Sequence, residues 1–120
     1  MQPLEDFQIF DFDAALGRMG GDREIYSAVA LVYLDSIPQL ITAIKKGVSQ
    51  KDNEKVMREA HSAKSSSRIV GADVVGYWAE KLELAGKNGE DSLYSSLIDT
   101  IESSVGEVVA LIETKIEEMK

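Results

Sequence analysis

The chain has no cysteine, one histidine, one tryptophan and two prolines among 120 residues. Without cysteine there is neither a disulfide framework nor a thiolate metal site, and a reducing compartment is permitted. A single histidine excludes the doubled Glu-x-x-His motif of a di-iron bundle, and Arg58 stands where that motif's glutamate would be. The longest apolar run, Ala28 to Leu34, is seven residues, well below the roughly 20 that a spanning helix needs. The start, Met1-Gln2-Pro3-Leu4-Glu5-Asp6, is acidic and lacks the apolar centre of a signal peptide. Gly20-Gly21 and Gly86-Lys87-Asn88-Gly89 read as turns, without the spacing of a phosphate-binding loop. With no ATP site, the chain is not expected to phosphorylate itself. Together these absences predict a soluble, cytoplasmic protein that is a single domain by length.

Negative charge dominates what is present. The net charge of -8 argues against nucleic acid or an anionic membrane as the main partner. The charge is uneven, however. Residues 45 to 68 hold seven of the thirteen cations against three acids, whereas residues 90 to 120 hold eight acids against two lysines. The only histidine falls inside the basic segment, which points to an acidic partner surface.

Apolar residues recur at helical spacing, and no stretch alternates with period two over a strand's length. Residues 1–10 read as an extended lead-in, with Phe7, Ile9 and Phe10 folding back. Asp11 caps a short helix through Met19, with Phe12 and Leu16 inward, and Gly20-Gly21 stops it. Asp22 caps a long second helix carrying Tyr26, Ala30, Tyr33, Ile37, Leu40, Ile44 and Val48. Pro38 predicts a kink in it, or failing that two shorter helices. A third helix starts at Asp52 or Asn53 and ends at Gly71. A fourth runs from Asp73 to Lys87-Asn88-Gly89, with Val74, Trp78, Leu82 and Ala85 inward; Trp78 reads as a core anchor. The last covers about residues 91 to 119, with a seam from Tyr94 through Ile98, Ile101, Val105, Val108 and Ile112 to Ile116 and Met119. This pattern predicts an all-α fold, an antiparallel four-helix bundle with a short N-terminal cap helix.

The third helix carries the chemistry. At roughly 100° per residue, Arg68 lies within about 20° of His61, Ser65 within about 40°, and Lys64 and Arg58 within about 60° on either side. Val56, Ala60, Ala63, Ser67 and Val70 gather on the opposite face. The helix therefore buries a small, apolar stripe and leaves His61 in water among cations. A lone histidine is more often a satisfied core residue, but this placement argues against that. A solvated imidazole is largely neutral at pH 7 and has a nucleophilic nitrogen. Nearby cations favour the neutral ring and attract an anion. Such a site suits receipt of a phosphoryl group, which asks mainly for alignment and charge neutralisation. Ser62, Ser65 and Ser66 lie along a helix rather than at an elbow, so serine hydrolysis is not supported.

His61-Ser62-Ala63-Lys64-Ser65-Ser66-Ser67, followed by Gly71-Ala72, resembles the histidine-containing phosphotransfer (HPt) domain of bacterial multi-step phosphorelays. The family pattern is His-x-Leu-Lys-Gly-Ser-Ser, three further residues, then glycine and a small or apolar residue. His61, Lys64, Ser66, Ser67, Gly71 and Ala72 match in register; Ala63 replaces the large aliphatic residue and Ser65 the glycine. The resemblance implies a four-helix bundle. It also implies a phosphocarrier rather than an enzyme, with His61 as phosphoacceptor and Lys64 balancing charge on the phosphoryl oxygens. Glu83 falls where the chemotaxis-kinase branch has an acid holding the far ring nitrogen; the plain alternative for Glu80 and Glu83 is surface charge. The implied partners are receiver domains of response regulators and a hybrid sensor kinase. Docking would use Lys55, Arg58, Ser65 and Arg68, with Met57 and Ile69 supplying the apolar edge. No cofactor of its own is expected, since the receiver brings magnesium. A monomer is the default expectation. The start at Met1 and the polar end at Lys120 suggest a free-standing protein. Two other readings remain at this point. One is a helical docking module without chemistry; the other is the phosphoacceptor domain of a larger chemotaxis-type kinase.

Overall fold

The computed structural model describes residues 9–120, so the expected lead-in lies mostly outside the described residues, Phe7 included. Ile9 stands in solvent instead of folding back, whereas Phe10 packs beside Phe12, with ring centroids 6.3 Å apart. Five α-helices follow: α1 (Phe12–Arg18), α2 (Arg23–Ser49), α3 (Asn53–Ile69), α4 (Asp73–Asn88) and α5 (Tyr94–Glu118). Three begin at aspartate caps. The side chains of Asp11, Asp22 and Asp52 accept backbone N–H groups of the first turn, satisfying donors that have no partner within the helix. A tight 3-10 turn at Asp91–Leu93 precedes α5, which starts at Tyr94 rather than Asp91. Helix α2 runs 27 residues without a break at Pro38, so the two-helix alternative falls.

The helices form the expected bundle, with α1 lying across one end. α3 packs most extensively on α4, then on α2, and α5 closes against α4 and α2. The core follows the helical period. From α2 come Tyr26, Ala30, Tyr33, Ile37, Ile41 and Ile44; Ile41 takes the place expected for Leu40, and Leu40 and Val48 lie at its margin. The seam of α5 is buried from Tyr94 to Ile112, and Ile116 and Met119 pack against it near the helix end. Burying each such aliphatic side chain contributes roughly 1.5–3 kcal/mol, which is what aligns the helices. In α4 the buried stripe is Val75, Gly76, Ala79, Leu82, Ala85 and Gly86. Trp78 and Val74 sit at its edge, and the indole meets Tyr77 edge-on at 4.9 Å.

By length and composition α2 would suffice to cross a membrane, with mean hydropathy 1.5 over its most apolar window. In the bundle its inner face is core, while Ile25, Leu31 and Val32 remain exposed on the outer one.

The C-terminal end of α3 is held from several directions. Gly71 adopts φ 87°, the left-handed stop, and the Ala72 N–H reaches back to the Ser67 carbonyl at 2.8 Å. The carbonyls of Arg68, Val70 and Gly71 accept from the Arg18 guanidinium at 2.7 Å, the Tyr26 hydroxyl at 2.8 Å and the Asp11 N–H at 2.8 Å. A Cβ on Gly71 would stand 2.5 Å from the Asp11 carbonyl oxygen. Deeper in, the Tyr33 hydroxyl and Ser67 Oγ share a buried hydrogen bond of 2.8 Å. Burial pushes both tyrosine hydroxyls up to about 12; Tyr33 adds to the effect on Tyr26, and the Ser67 bond opposes it on Tyr33.

Candidate functional site

On α3 the buried face is Val56, Ala60, Ala63 and Ser67, followed by Val70, as the spacing predicts. His61 projects away from it, with 57% of its side chain exposed. The turn that carries it sits in mid-helix. Ahead of it Asp52 caps the helix and receives the Lys55 N–H; behind it lie the carbonyls held by Arg18, Tyr26 and Asp11. The ring is thus exposed while its backbone is fixed.

The surroundings differ from the sequence expectation. The sequence of α3 alone places bare cations around His61. In the folded protein, α4 inserts two carboxylates among them. Glu83 Oε2 lies 2.9 Å from His61 Nδ1. Its other oxygen, Oε1, is out of water and 2.7 Å from Lys64 Nζ. Lys64 is only 17% exposed, and Glu80 Oε1 stands 4.0 Å away on its other side. Glu80 Oε1 also lies 3.6 Å from the Arg68 guanidinium. Glu80 and Glu83, three residues apart on α4, therefore line the face that looks across at α3. The cause is the close approach of the two helices: a Cβ on Gly86 would meet the Met57 backbone nitrogen at 2.9 Å, and one on Gly76 would meet Arg68 Cγ at 2.9 Å.

These contacts have an electrostatic signature. Burial pushes the Glu83 carboxyl up, but its contacts to Lys64 and His61 outweigh that and hold it below the ordinary glutamate range. Glu83 is therefore a carboxylate at neutral pH and accepts a hydrogen bond from the ring N–H. That assigns the Nδ1–H tautomer and leaves the lone pair on Nε2. The arrangement offers one oriented nucleophilic nitrogen, with an ammonium group a turn away.

The remaining sequence candidates divide. Met57 and Arg58 line a shallow groove of about 290 Å³ together with Glu54, His61, Ser62 and Glu83. Arg58 stands 3.7 Å from its chain neighbour Glu59. Ser65 is exposed on the histidine face. Lys55 is half-buried, its stem close to Gly47 of α2. Ile69 is 51% exposed but lies beyond Arg68, so the two apolar candidates flank the histidine instead of forming one patch. Sequence reasoning missed Arg18, Gly76 and the two tyrosine hydroxyls. Tyr26 and Tyr33, one heptad apart on an apolar stripe, are the one legible hint, because a buried hydroxyl needs a partner.

Comparison with known proteins agrees with this fold. The family model described as the Hpt domain matches residues 28–118. Among solved structures the chain is similar to the crystal structure of histidine-containing phosphotransfer protein B (HptB) from Pseudomonas aeruginosa PAO1. The TM-score is 0.85 at 19% identity, over 92% of this chain and 96% of that one, a likeness that carries the fold. No curated protein matches the sequence.

Proposed function

Since this chain belongs to the Hpt domain family, we propose that it is a cytoplasmic phosphocarrier that shuttles a phosphoryl group between receiver domains. In this reading His61 Nε2 attacks the phosphorus of a receiver's phospho-aspartate in line. The bond to the aspartate oxygen breaks, the aspartate leaves as a carboxylate, and Nε2 keeps the phosphoryl group. The magnesium ion that a receiver holds neutralises oxygens from the partner's side. Glu83 retains the Nδ1 proton throughout and so keeps Nε2 as the reacting atom. Lys64, 2.7 Å from Glu83 Oε1, balances charge on the phosphoryl oxygens from the next turn. Transfer to a second receiver reverses these steps. In this reading the chain is a phosphotransfer intermediate and not an autokinase. Arg58, Ser65, Arg68 and Lys55, with Met57 and Ile69, form the receiver docking face, and the carrier acts as a monomer.

The observation that carries this reading is an exposed imidazole whose Nδ1 is 2.9 Å from a carboxylate. The test is transfer from phosphorylated receivers of the same genome. Acid-labile, base-stable label should appear on the wild-type protein and be absent from His61→Gln. Label retained by that variant refutes the assignment. The carboxylate on Nδ1 also favours a second reading, the phosphoacceptor domain of a chemotaxis-type kinase. Labelling by a kinase and ATP, with no transfer from any receiver, would select it.

A further inference from the structure

Arg68 is held unlike the other cations of the histidine face. Its stem lies in a notch on α4, where a Cβ on Gly76 would come within 2.9 Å of Arg68 Cγ and 3.2 Å of Nε. Its backbone carbonyl is bonded by Arg18, which lies ahead of the family-matched residues 28–118. Yet its side chain is 49% exposed, and its pairing with Glu80, at 3.6 Å, is looser than a hydrogen bond. Arg68 lies about 10 Å along the helix from His61 and within about 20° of its direction. Beside it opens a concavity of about 470 Å³ lined by Arg18, Arg68, Ile69, Asp73 and Tyr77, with Ile69 half in solvent.

We propose that Arg68 is a specificity-determining residue: its pre-set guanidinium exchanges Glu80 for a carboxylate of the visiting receiver, while the adjoining cup takes that receiver's neighbouring apolar side chain. The inference rests on the phosphotransfer reading above. A planar fork fits a carboxylate with two parallel hydrogen bonds, closer and stronger than the contact Glu80 makes. Seating the stem beforehand reduces the ordering cost of docking. Lys64, by contrast, is covered by Glu83. The cup is continuous with the phosphotransfer face through Glu80, which stands between Lys64 and Arg68. Both ends of Arg68's support come from outside α3, so the trait can vary between carriers that share the histidine motif.

The test uses the full chain and a receiver that exchanges phosphoryl groups with it, titrated over receiver concentration. In Arg68→Gln the half-saturating receiver concentration should rise about fivefold, the scale of one exposed charge contact. The rate at saturation should stay within about twofold. Gly76→Ala, which keeps every charge but pushes the stem from its notch, should shift half-saturation in the same direction. Arg68→Glu should recover when an acidic residue on the receiver's contact face is changed to lysine. Unchanged half-saturation in a folded Arg68→Gln protein, judged by circular dichroism, overturns the inference, and so does a fall in the saturated rate alone. If the wild-type protein takes no label from any receiver, the phosphotransfer reading itself falls; a labelled wild type with an indifferent Arg68→Gln removes only the specificity role.

Discussion

At His61 a carboxylate decides which ring nitrogen is available. Glu83 binds Nδ1 at 2.9 Å and Lys64 at 2.7 Å, so one side chain orients the imidazole and holds the nearest cation in place. Glu83→Gln keeps the shape and loses the charge. Transfer to His61 should then slow on the order of tenfold, as for other residues that orient an imidazole from behind, and nitrogen chemical shifts should show a smaller share of Nδ1–H ring. Stability carries a second signature. Because the folded-state pKa of Glu83 is depressed, its contacts contribute fully above the ordinary carboxylate range and are lost as pH falls through the lowered value. The wild type should exceed Glu83→Gln by about 0.5–1 kcal/mol at pH 7, and urea titrations should show the gap closing as pH falls through and below the ordinary carboxylate range. At this scale much was legible in the sequence. His61, Lys64 and Arg68 could be placed because their angular relations depend only on the pitch of one helix. The contact of Glu83 with the ring was suggested by family resemblance, since the azimuth of α4 relative to α3 is a tertiary quantity. Nothing local to Gly76 announced that it seats an arginine two helical turns from the histidine.

Among the elements, the pairing of α3 with α4 matters most to the site. Ala60 and Ala63 on one helix, and Gly76, Ala79 and Gly86 on the other, let the two backbones approach closely. That approach brings Glu83, with only three carbons of reach, to the histidine, and Glu80 to Lys64 and Arg68. Gly86→Ala places a methyl group 2.9 Å from the Met57 backbone nitrogen, a clash no side-chain rotation relieves. It should cost about 1–3 kcal/mol, as overpacking typically does, and lower the melting temperature. It should also weaken the His61–Glu83 contact, read as a shift of the ring nitrogens toward free imidazole. An unchanged melting temperature would show that the helices part without cost. The small stripe of α3 was readable in advance, and its consequence for packing follows from size alone. The inner face of α4 was read correctly at Leu82 and Ala85, whereas Val75 and Ala79 are the buried residues next to the edge positions Val74 and Trp78, since the largest apolar side chain is the natural guess for an anchor.

Over the whole molecule, the charge of -8 and the basic segment at residues 45–68 are separate matters. Folding pairs much of that segment with acids from elsewhere: Lys45 with Glu102 at 2.8 Å, Lys64 with Glu83, and Arg68 with Glu80. The net excess of acid therefore dominates at long range. Self-repulsion of that kind opposes compactness and is screened by salt. The melting temperature should accordingly rise as sodium chloride increases from about 20 to about 200 mM, over which the Debye length falls by roughly threefold. A fall would mean that the ion pairs outweigh the repulsion. The bundle was legible because its helices differ plainly from the turns between them. The pairing of charges was not, since partners such as Lys45 and Glu102 lie 57 positions apart.

The anchoring of α3 at both ends bears on how a signal could leave this protein. Asp52 caps its start, and the carbonyls of Arg68, Val70 and Gly71 at its end are tied to α1, α2 and the chain before them, so on the proposed reading the helix would keep its place when the imidazole is loaded. A listener would find the same shape before and after, altered only by two or so negative charges at one point. On that reading, such a courier would report that it is carrying something and leave every amplification to the molecules it visits.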